Sequence, residues 1–147
     1  MLYGVLGRSN KLWNDCDQSL LLPVTEILPN ALIVVVDDDV FERLGASSMF
    51  LDAGYRVLEA ENADEALLFF ETNANIRLLF TDVSMPGSMS GSDLAHHVAE
   101  RWPSVGIIMA SGRPRPHQLP LSMLFHDKPY EPAAVLRQAR EMTTQLG

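Results

Sequence analysis

The sequence is poor in cysteine, in basic residues and in long apolar runs, and each shortage argues against a class of protein. One cysteine, Cys16, occurs in 147 residues, so no disulfide can form within the chain, and we expect a reducing, cytoplasmic setting. Lys and Arg number 11 against 19 Asp and Glu, a net charge of −8, which argues against nucleic acid as the main partner because phosphate contacts need clustered cations. No apolar run approaches the ~18 residues of a membrane-spanning helix, so we expect no membrane segment.

What the sequence does contain is a regular alternation of apolar runs and helical patterns. The expected strands are residues 31–36, 55–59, the run ending at 82, 105–110 and 123–126, and the expected helices are residues 41–53, 63–72, 92–102 and 133–145. Strands that alternate with helices predict an α/β fold, with a parallel sheet covered by helices on both faces. In the first helix one apolar face is shared by Phe41, Leu44, Ser48 and Leu51.

Two segments depart from this alternation. Residues 1–30 lack sustained periodicity, so we expect a partly ordered N-terminal extension before a domain that spans residues 31–147. Between Gly112 and Ser122 there are three prolines, a density that excludes a regular helix. The fourth helix of the fold is therefore predicted to be shortened or missing.

Polar side chains follow four of the predicted strands. Asp37 and Asp38 follow the first, Asp82 ends the third, Ser111 follows the fourth and Lys128 follows the fifth. Each alone has an ordinary explanation as a turn or helix-capping residue, but the carboxyl ends of parallel strands share one edge, where ligands bind. Crowded carboxylates raise one another's pKa values unless a cation is present, and an oxygen-only cluster suits Mg²⁺. The set predicts a carboxylate nucleophile, a divalent metal and a phosphoryl clamp.

These motifs resemble those of response-regulator receiver domains, the phosphoacceptors of two-component signalling, over about residues 31–146. The stretch 35–39 is similar to the acidic pair that follows the first strand of that family, and 81–87 to its phosphorylation loop, with Asp82 at the acceptor position. Ser111 and Lys128 match its hydroxyl and lysine positions, the peptide bond after the lysine usually being cis, and Phe125 matches its aromatic switch. The resemblance implies a flavodoxin-like, doubly wound sheet of five parallel strands in the order 2-1-3-4-5.

The resemblance also implies a function for the acidic residues. A histidine kinase or histidine phosphotransfer protein would donate a phosphoryl group to Asp82. Mg²⁺ would be held by Asp37 or Asp38, by Asp82 and by the backbone carbonyl of Ser84. With no further module visible in the sequence, we expect a bacterial, stand-alone, single-domain receiver that signals through a downstream protein or a phosphorelay and has at most slow self-dephosphorylation.

The remaining family positions imply phosphoryl binding and a switch. Ser111 and Lys128 would bind phosphoryl oxygens, helped by the backbone N–H groups of Val83 and Gly112. Phe125 would fill the space that Ser111 leaves when it moves inward. Lys128 follows Ser111 by 17 residues, fewer than is usual in the family, which agrees with a trimmed fourth helix and implies a remodelled output face.

Two other interpretations use the same residues. In a Mg²⁺-dependent phosphohydrolase of the haloacid-dehalogenase type, Asp37 and Asp39 would form an Asp-x-Asp pair with Asp37 as nucleophile, and Asp82 would have no role. In the other, the receiver fold is a scaffold that is no longer phosphorylated. The acidic pair, acceptor, hydroxyl and lysine together favour the working receiver.

Overall fold

Strands and helices alternate from Leu32 to Ser111 and again from Met123 to Thr144, as the sequence predicts. The computed structural model describes residues 31–113 and 123–144. The strands are β1 (Leu32–Val36), β2 (Arg56–Ala60), β3 (Ile76–Asp82), β4 (Gly106–Ser111) and β5 (Met123–Asp127), and the helices are α1 (Val40–Asp52), α2 (Ala63–Thr72), α3 (Gly91–Arg101) and α4 (Pro132–Thr144). Neighbouring strands pair in parallel in the order β2-β1-β3-β4-β5. This confirms the predicted 2-1-3-4-5 sheet.

Each face of the sheet is covered by two helices. Successive residues of a strand point to opposite faces, so Leu32 and Val34 of β1 pack with α2 and α3, whereas Ile33 and Val35 pack with α1 and α4. All five residues of β1 are buried. A strand buried on both faces has no polar side to show, which is why its sequence reads as an unbroken apolar run.

The apolar face predicted for the first helix is exposed in α1. Three of its members are exposed by 81%, 49% and 53%: Phe41, Leu44 and Leu51. The helix buries Ala46, Ser47 and Phe50 instead. Phe50 packs edge-on against Phe80 of β3, with ring centroids 5.4 Å apart. The large apolar side chains that set the helical pattern are therefore left on the surface.

The register of the strands brings their carboxyl ends to one edge. Val36 lies opposite Thr81, and Asp82 lies opposite Ala110. Ser111 in turn lies opposite Asp127. The residues that end or directly follow β1, β3, β4 and β5 are thereby placed side by side.

Two predictions fall outside the described residues. The N-terminal extension of residues 1–30 is one, so the domain boundary at residue 31 stays a prediction. The shortened or missing fourth helix is the other, because residues 114–122 separate the two described ranges. Within those ranges, no helix combines the length and the apolarity needed to cross a bilayer.

Candidate functional site

Three aspartates meet at the carboxyl edge of the sheet. Asp37 follows β1 and Asp82 ends β3, and their side chains are only 10% and 13% exposed. Asp37, Asp38 and Asp82 can each present a carboxylate oxygen so that the three atoms lie within 4.8 Å of one another. Within residues 31–113 and 123–144, this is the one group of three or more His, Cys, Asp or Glu side chains placed to hold a metal ion together. Oxygen ligands at this spacing suit a hard divalent cation.

Lys128 closes the site from β5. Its backbone N–H donates to the carbonyl oxygen of Ser111 at 2.8 Å, and the bond from Lys128 to Pro129 is cis. The Nζ atom lies 3.2 Å from Oδ2 of Asp37 and 3.1 Å from Oδ1 of Asp82. It also contacts Oε1 of Glu42. An ammonium has three N–H donors, so three carboxylates use all of them.

Burial and charge shift the pKa values of this cluster in different directions. Desolvation raises the pKa of Asp37 and of Asp82 above the ordinary value of 3.8, and the Lys128 ammonium only partly offsets it. Repulsion between carboxylates also raises the pKa of both, as the sequence predicts, but it is weaker than desolvation. Desolvation tends to lower the pKa of Lys128, yet the hydrogen bond that its ammonium donates to Glu42 and the charge of Asp37 raise the pKa above its ordinary value. Lys128 therefore stays cationic.

Replacing Asp82 with asparagine is expected to stabilise the metal-free protein at neutral pH. A carboxyl group whose pKa is raised on folding contributes stability below its unfolded pKa of 3.8 and loses that contribution as the pH rises through the folded pKa. The amide resembles the neutral carboxyl, so the gain in thermal midpoint over wild type should shrink as the pH falls towards 3.8. Thermal unfolding in chelator between pH 4 and 8 measures this; a gain that grows on acidification would contradict it.

The other predicted site residues lie around this cluster. Ser111 is buried, and its hydroxyl accepts a hydrogen bond from the N–H of Arg113 at 3.1 Å. Gly112 and Ser84 are exposed beside it, on the loops after β4 and β3. Phe125 is half-buried on β5 opposite Met109. The structure thus brings the predicted residues to one edge of the sheet.

One predicted contact needs correction. The N–H of Val83 was expected to bind a phosphoryl oxygen, but in the structure it donates to the carbonyl oxygen of Ala110 at 3.2 Å. This bond extends the pairing of β3 with β4 beyond Asp82. The N–H of Val83 is therefore engaged in pairing β3 with β4.

Asp39 is used by the fold and does not line the acidic cluster. Its Oδ1 accepts hydrogen bonds from the N–H groups of Phe41 and Glu42, at 2.9 and 3.0 Å, which caps α1. An Asp-x-Asp pair of the dehalogenase type would need both Asp37 and Asp39 at the reacting atoms. The capping role of Asp39 argues against that interpretation.

Two residues at the site were not singled out from the sequence. Glu42 contacts Lys128, although its spacing of three residues from Asp39 is typical of a capping box. Gly91 opens α3 beside the backbone of Asp82, where a Cβ atom would lie 1.6 Å from the Asp82 carbonyl oxygen. A glycine at the first position of an amphipathic helix is the only sequence feature that hints at such a close approach.

A cavity of about 480 Å³ adjoins the acidic cluster. Gly45 and Ala46 of α1 form one wall, and Pro129 and Tyr130, after β5, form another. Asp82 and Lys128 lie at its polar end. A reacting group can therefore approach Asp82 from outside.

Comparison with known proteins agrees with this geometry. A family model for the response regulator receiver domain matches residues 33–119. The hydrogenase transcriptional regulatory protein HoxA of Cupriavidus necator is 34% identical over 82 residues, which are 56% of this chain but 16% of that protein; the chain thus corresponds to a small part of that relative.

Solved structures show the same fold. A response regulator receiver protein from Sinorhizobium medicae superposes with a TM-score of 0.72 at 21% identity, covering 81% of this chain and 98% of that one. The response regulator protein TrrA of Thermotoga maritima, in complex with Mg²⁺-BeF, gives a TM-score of 0.65 at 26% identity over 76% of this chain and 97% of that one. With the family model matching more than half of its length, the chain belongs to the response regulator receiver domain family.

Proposed function

We propose that this receiver domain accepts a phosphoryl group on Asp82 from a phosphohistidine of a histidine kinase or a histidine phosphotransfer protein. The observation that carries the proposal is the pairing of the Asp82 carboxylate with Lys128 at 3.1 Å inside an acidic cluster open to a cavity. Family membership supports a phosphoacceptor role of this kind. The phosphohistidine donor and the downstream protein target are both part of this proposal.

The transfer has a simple electron balance. A lone pair of the Asp82 carboxylate attacks phosphorus, and the P–N bond to the donor histidine breaks. The electron pair of that bond stays on the imidazole, which leaves as a neutral ring when its other nitrogen is protonated. The product is an acyl phosphate on Asp82. Lys128 is placed to receive a phosphoryl oxygen, because its Nζ already contacts the attacking carboxylate.

The donor set supports a bound Mg²⁺. Asp37 or Asp38, Asp82 and the carbonyl of Ser84 would hold the ion, which would supply charge neutralisation to the phosphoryl oxygens. Support comes from carboxylates that can be brought within 4.8 Å of one another and from the relative TrrA, solved with Mg²⁺-BeF. Asp37 is held for this role by the N–H of Asp39, which donates to its Oδ1 at 2.9 Å.

The phosphoryl group would be bound by Ser111 and Gly112, and its presence would change the packing of Phe125. The Ser111 hydroxyl would donate to a phosphoryl oxygen while its own oxygen accepts from the N–H of Arg113, and the Gly112 N–H lies on the same loop. Phe125 packs at the edge of the core next to the strand that bears Ser111. An inward movement of Ser111 would change the packing of Phe125, which would bias the surface between two states.

The exposed start of α1, whose Glu42 and Gly45 line the same cavity as Asp82, supports a protein donor. Val40 and Phe41 at the start of α1 are 46% and 81% exposed, and Leu44 is 49% exposed one turn later. Apolar side chains clustered on a surface often mark an interaction site. A helical donor resting here would present its phosphohistidine to the cavity. The chain would then act in a bacterial cytoplasm, by contact with a downstream protein or as a relay, with self-dephosphorylation at most slow.

Intact-mass analysis tests the proposed function. Incubation with Mg²⁺ and acetyl phosphate should add one phosphoryl group to wild type, because the small donor needs only the acceptor, the metal and Lys128. The adduct should be absent in chelator and in Asp82→Ala. An adduct of equal yield on Asp82→Ala would overturn the proposal, as would the absence of both an adduct and a beryllofluoride complex on wild type.

A further inference from the structure

We propose that Glu42 is a positioning residue that competes with the phosphoryl group for Lys128 and thereby sets how readily the site takes up a phosphoryl group. This inference rests on the proposed function. No feature of the sequence singles out Glu42, since it lies within α1 and not at the end of a strand. The side chain nevertheless crosses from α1 to contact the Nζ atom of Lys128, which follows β5.

The capping pattern of α1 shows why Glu42 is available. Glu42 is the third residue of the helix after the N-cap Asp39, a position from which a glutamate commonly accepts a hydrogen bond from the N-cap N–H. Here the N–H of Asp39 donates instead to Oδ1 of Asp37 at 2.9 Å. Because Asp37 has taken the place of the capping carboxylate, the Glu42 side chain is turned to the site.

The three partners of Lys128 differ in how free they are to leave. Asp37 and Asp82 have side chains only 10% and 13% exposed, and both belong to the proposed metal and acceptor set. Glu42 is 50% exposed and has solvent to move into. A phosphoryl oxygen that binds the ammonium must replace one of three carboxylates, and Glu42 is the one whose departure costs the site nothing else.

This arrangement predicts that Glu42 slows the uptake of a phosphoryl group. In the unphosphorylated protein, Glu42 holds the ammonium that an incoming phosphoryl oxygen needs. Glu42 also lines the cavity, so its negative charge would repel an anionic phosphodonor that approaches Asp82 through it. Removing the carboxylate should therefore favour the phosphorylated state and analogues of it, and the partly exposed position of Glu42 limits the effect to about two- to fivefold.

The test compares Glu42→Gln, Glu42→Asp and Glu100→Gln with wild type. Glu42→Gln removes the charge, and Glu42→Asp keeps the charge but withdraws the carboxylate from Lys128 by one methylene group, which weakens the contact. Glu100→Gln makes the same charge change on an exposed position of α3. The readouts are the rate of adduct formation with acetyl phosphate, by intact mass, and the affinity for beryllium fluoride at saturating Mg²⁺, by ¹⁹F NMR. Thermal unfolding confirms that each variant is folded.

The expected result is a gain of about two- to fivefold in both readouts for Glu42→Gln and a gain in the same direction for Glu42→Asp, with Glu100→Gln unchanged. A gain for Glu42→Gln alone would mean that the charge of residue 42 acts at a distance, and it would overturn the proposal that Glu42 competes with the phosphoryl group for Lys128. Equal or slower uptake in both Glu42 variants, on a wild type that does form the adduct, would overturn the inference while leaving the proposed function intact. A wild type that takes up neither a phosphoryl group nor beryllium fluoride would overturn both.

Discussion

Replacing Gly91 with alanine is expected to destabilise the protein by about 3 kcal/mol or more, because the added methyl group has nowhere to go. A Cβ at this position would lie 1.6 Å from the carbonyl oxygen of Asp82 and 2.7 Å from its carbonyl carbon. These are backbone atoms, which cannot rotate away as a flexible side chain can. The start of α3 is also tied to this place, since the N–H of Gly91 donates to the carbonyl oxygen of Val83 at 2.8 Å.

Gly45→Ala is the matched control for Gly91→Ala. Both glycines lie in helices, but a Cβ at Gly45 would meet no atom within 4 Å. The alanine should therefore stabilise α1 by about 0.5–1 kcal/mol through its higher helix propensity. Urea unfolding of both variants measures the difference. A loss at Gly91 no larger than 1 kcal/mol would mean that α3 can shift away from the acceptor strand, contrary to the close approach seen here.

Replacing Phe50 with alanine is expected to cost about 3–5 kcal/mol of unfolding free energy, as is usual for the loss of a buried aromatic side chain. Phe50 is 0% exposed and meets Tyr55 and Phe80 edge-on, with centroids 6.1 and 5.4 Å away. The cavity would lie between α1 and the sheet, directly under the strand that ends in Asp82. We therefore expect partial loss of phosphoryl uptake at temperatures where wild type is fully folded.

Phe41→Ala provides the comparison within the same helix. Phe41 is 81% exposed, so truncation should change the unfolding free energy by no more than about 0.5 kcal/mol. Chemical denaturation of the two variants side by side distinguishes the two possible faces of α1. Losses of similar size at both positions would place the apolar face predicted from the sequence in the core and contradict the orientation of the helix.

The sheet and most of the site could be predicted because they depend on simple patterns. A strand buried on both faces is an unbroken apolar run, as at Leu32–Val36, and parallel strands bring their carboxyl ends to one edge. Asp37, Asp82, Ser111 and Lys128 could therefore be grouped before any distance was known.

The features that escaped prediction depend on tertiary contacts. The helical pattern of α1 ranks Phe41 above Ala46 as a core residue, but the helix approaches the sheet through its small side chains. The same pattern cannot show that Glu42 turns from a capping position to Lys128, since that depends on Asp37 accepting the N–H of Asp39. Likewise, the sequence does not show that the N–H of Val83 donates to Ala110, since that bond depends on how far β3 and β4 pair.

Locating the phosphoryl group on the chain tests whether Asp82 is the nucleophile. Wild type is incubated with acetyl phosphate and Mg²⁺ and then reduced with borohydride, which converts an aspartyl phosphate to homoserine. Tandem mass spectrometry of the peptides then identifies the changed residue. If Asp82 is the nucleophile, homoserine appears at position 82, and none appears when chelator replaces Mg²⁺. Homoserine at position 37, with Asp82 unmodified, would contradict it and favour the phosphohydrolase scheme.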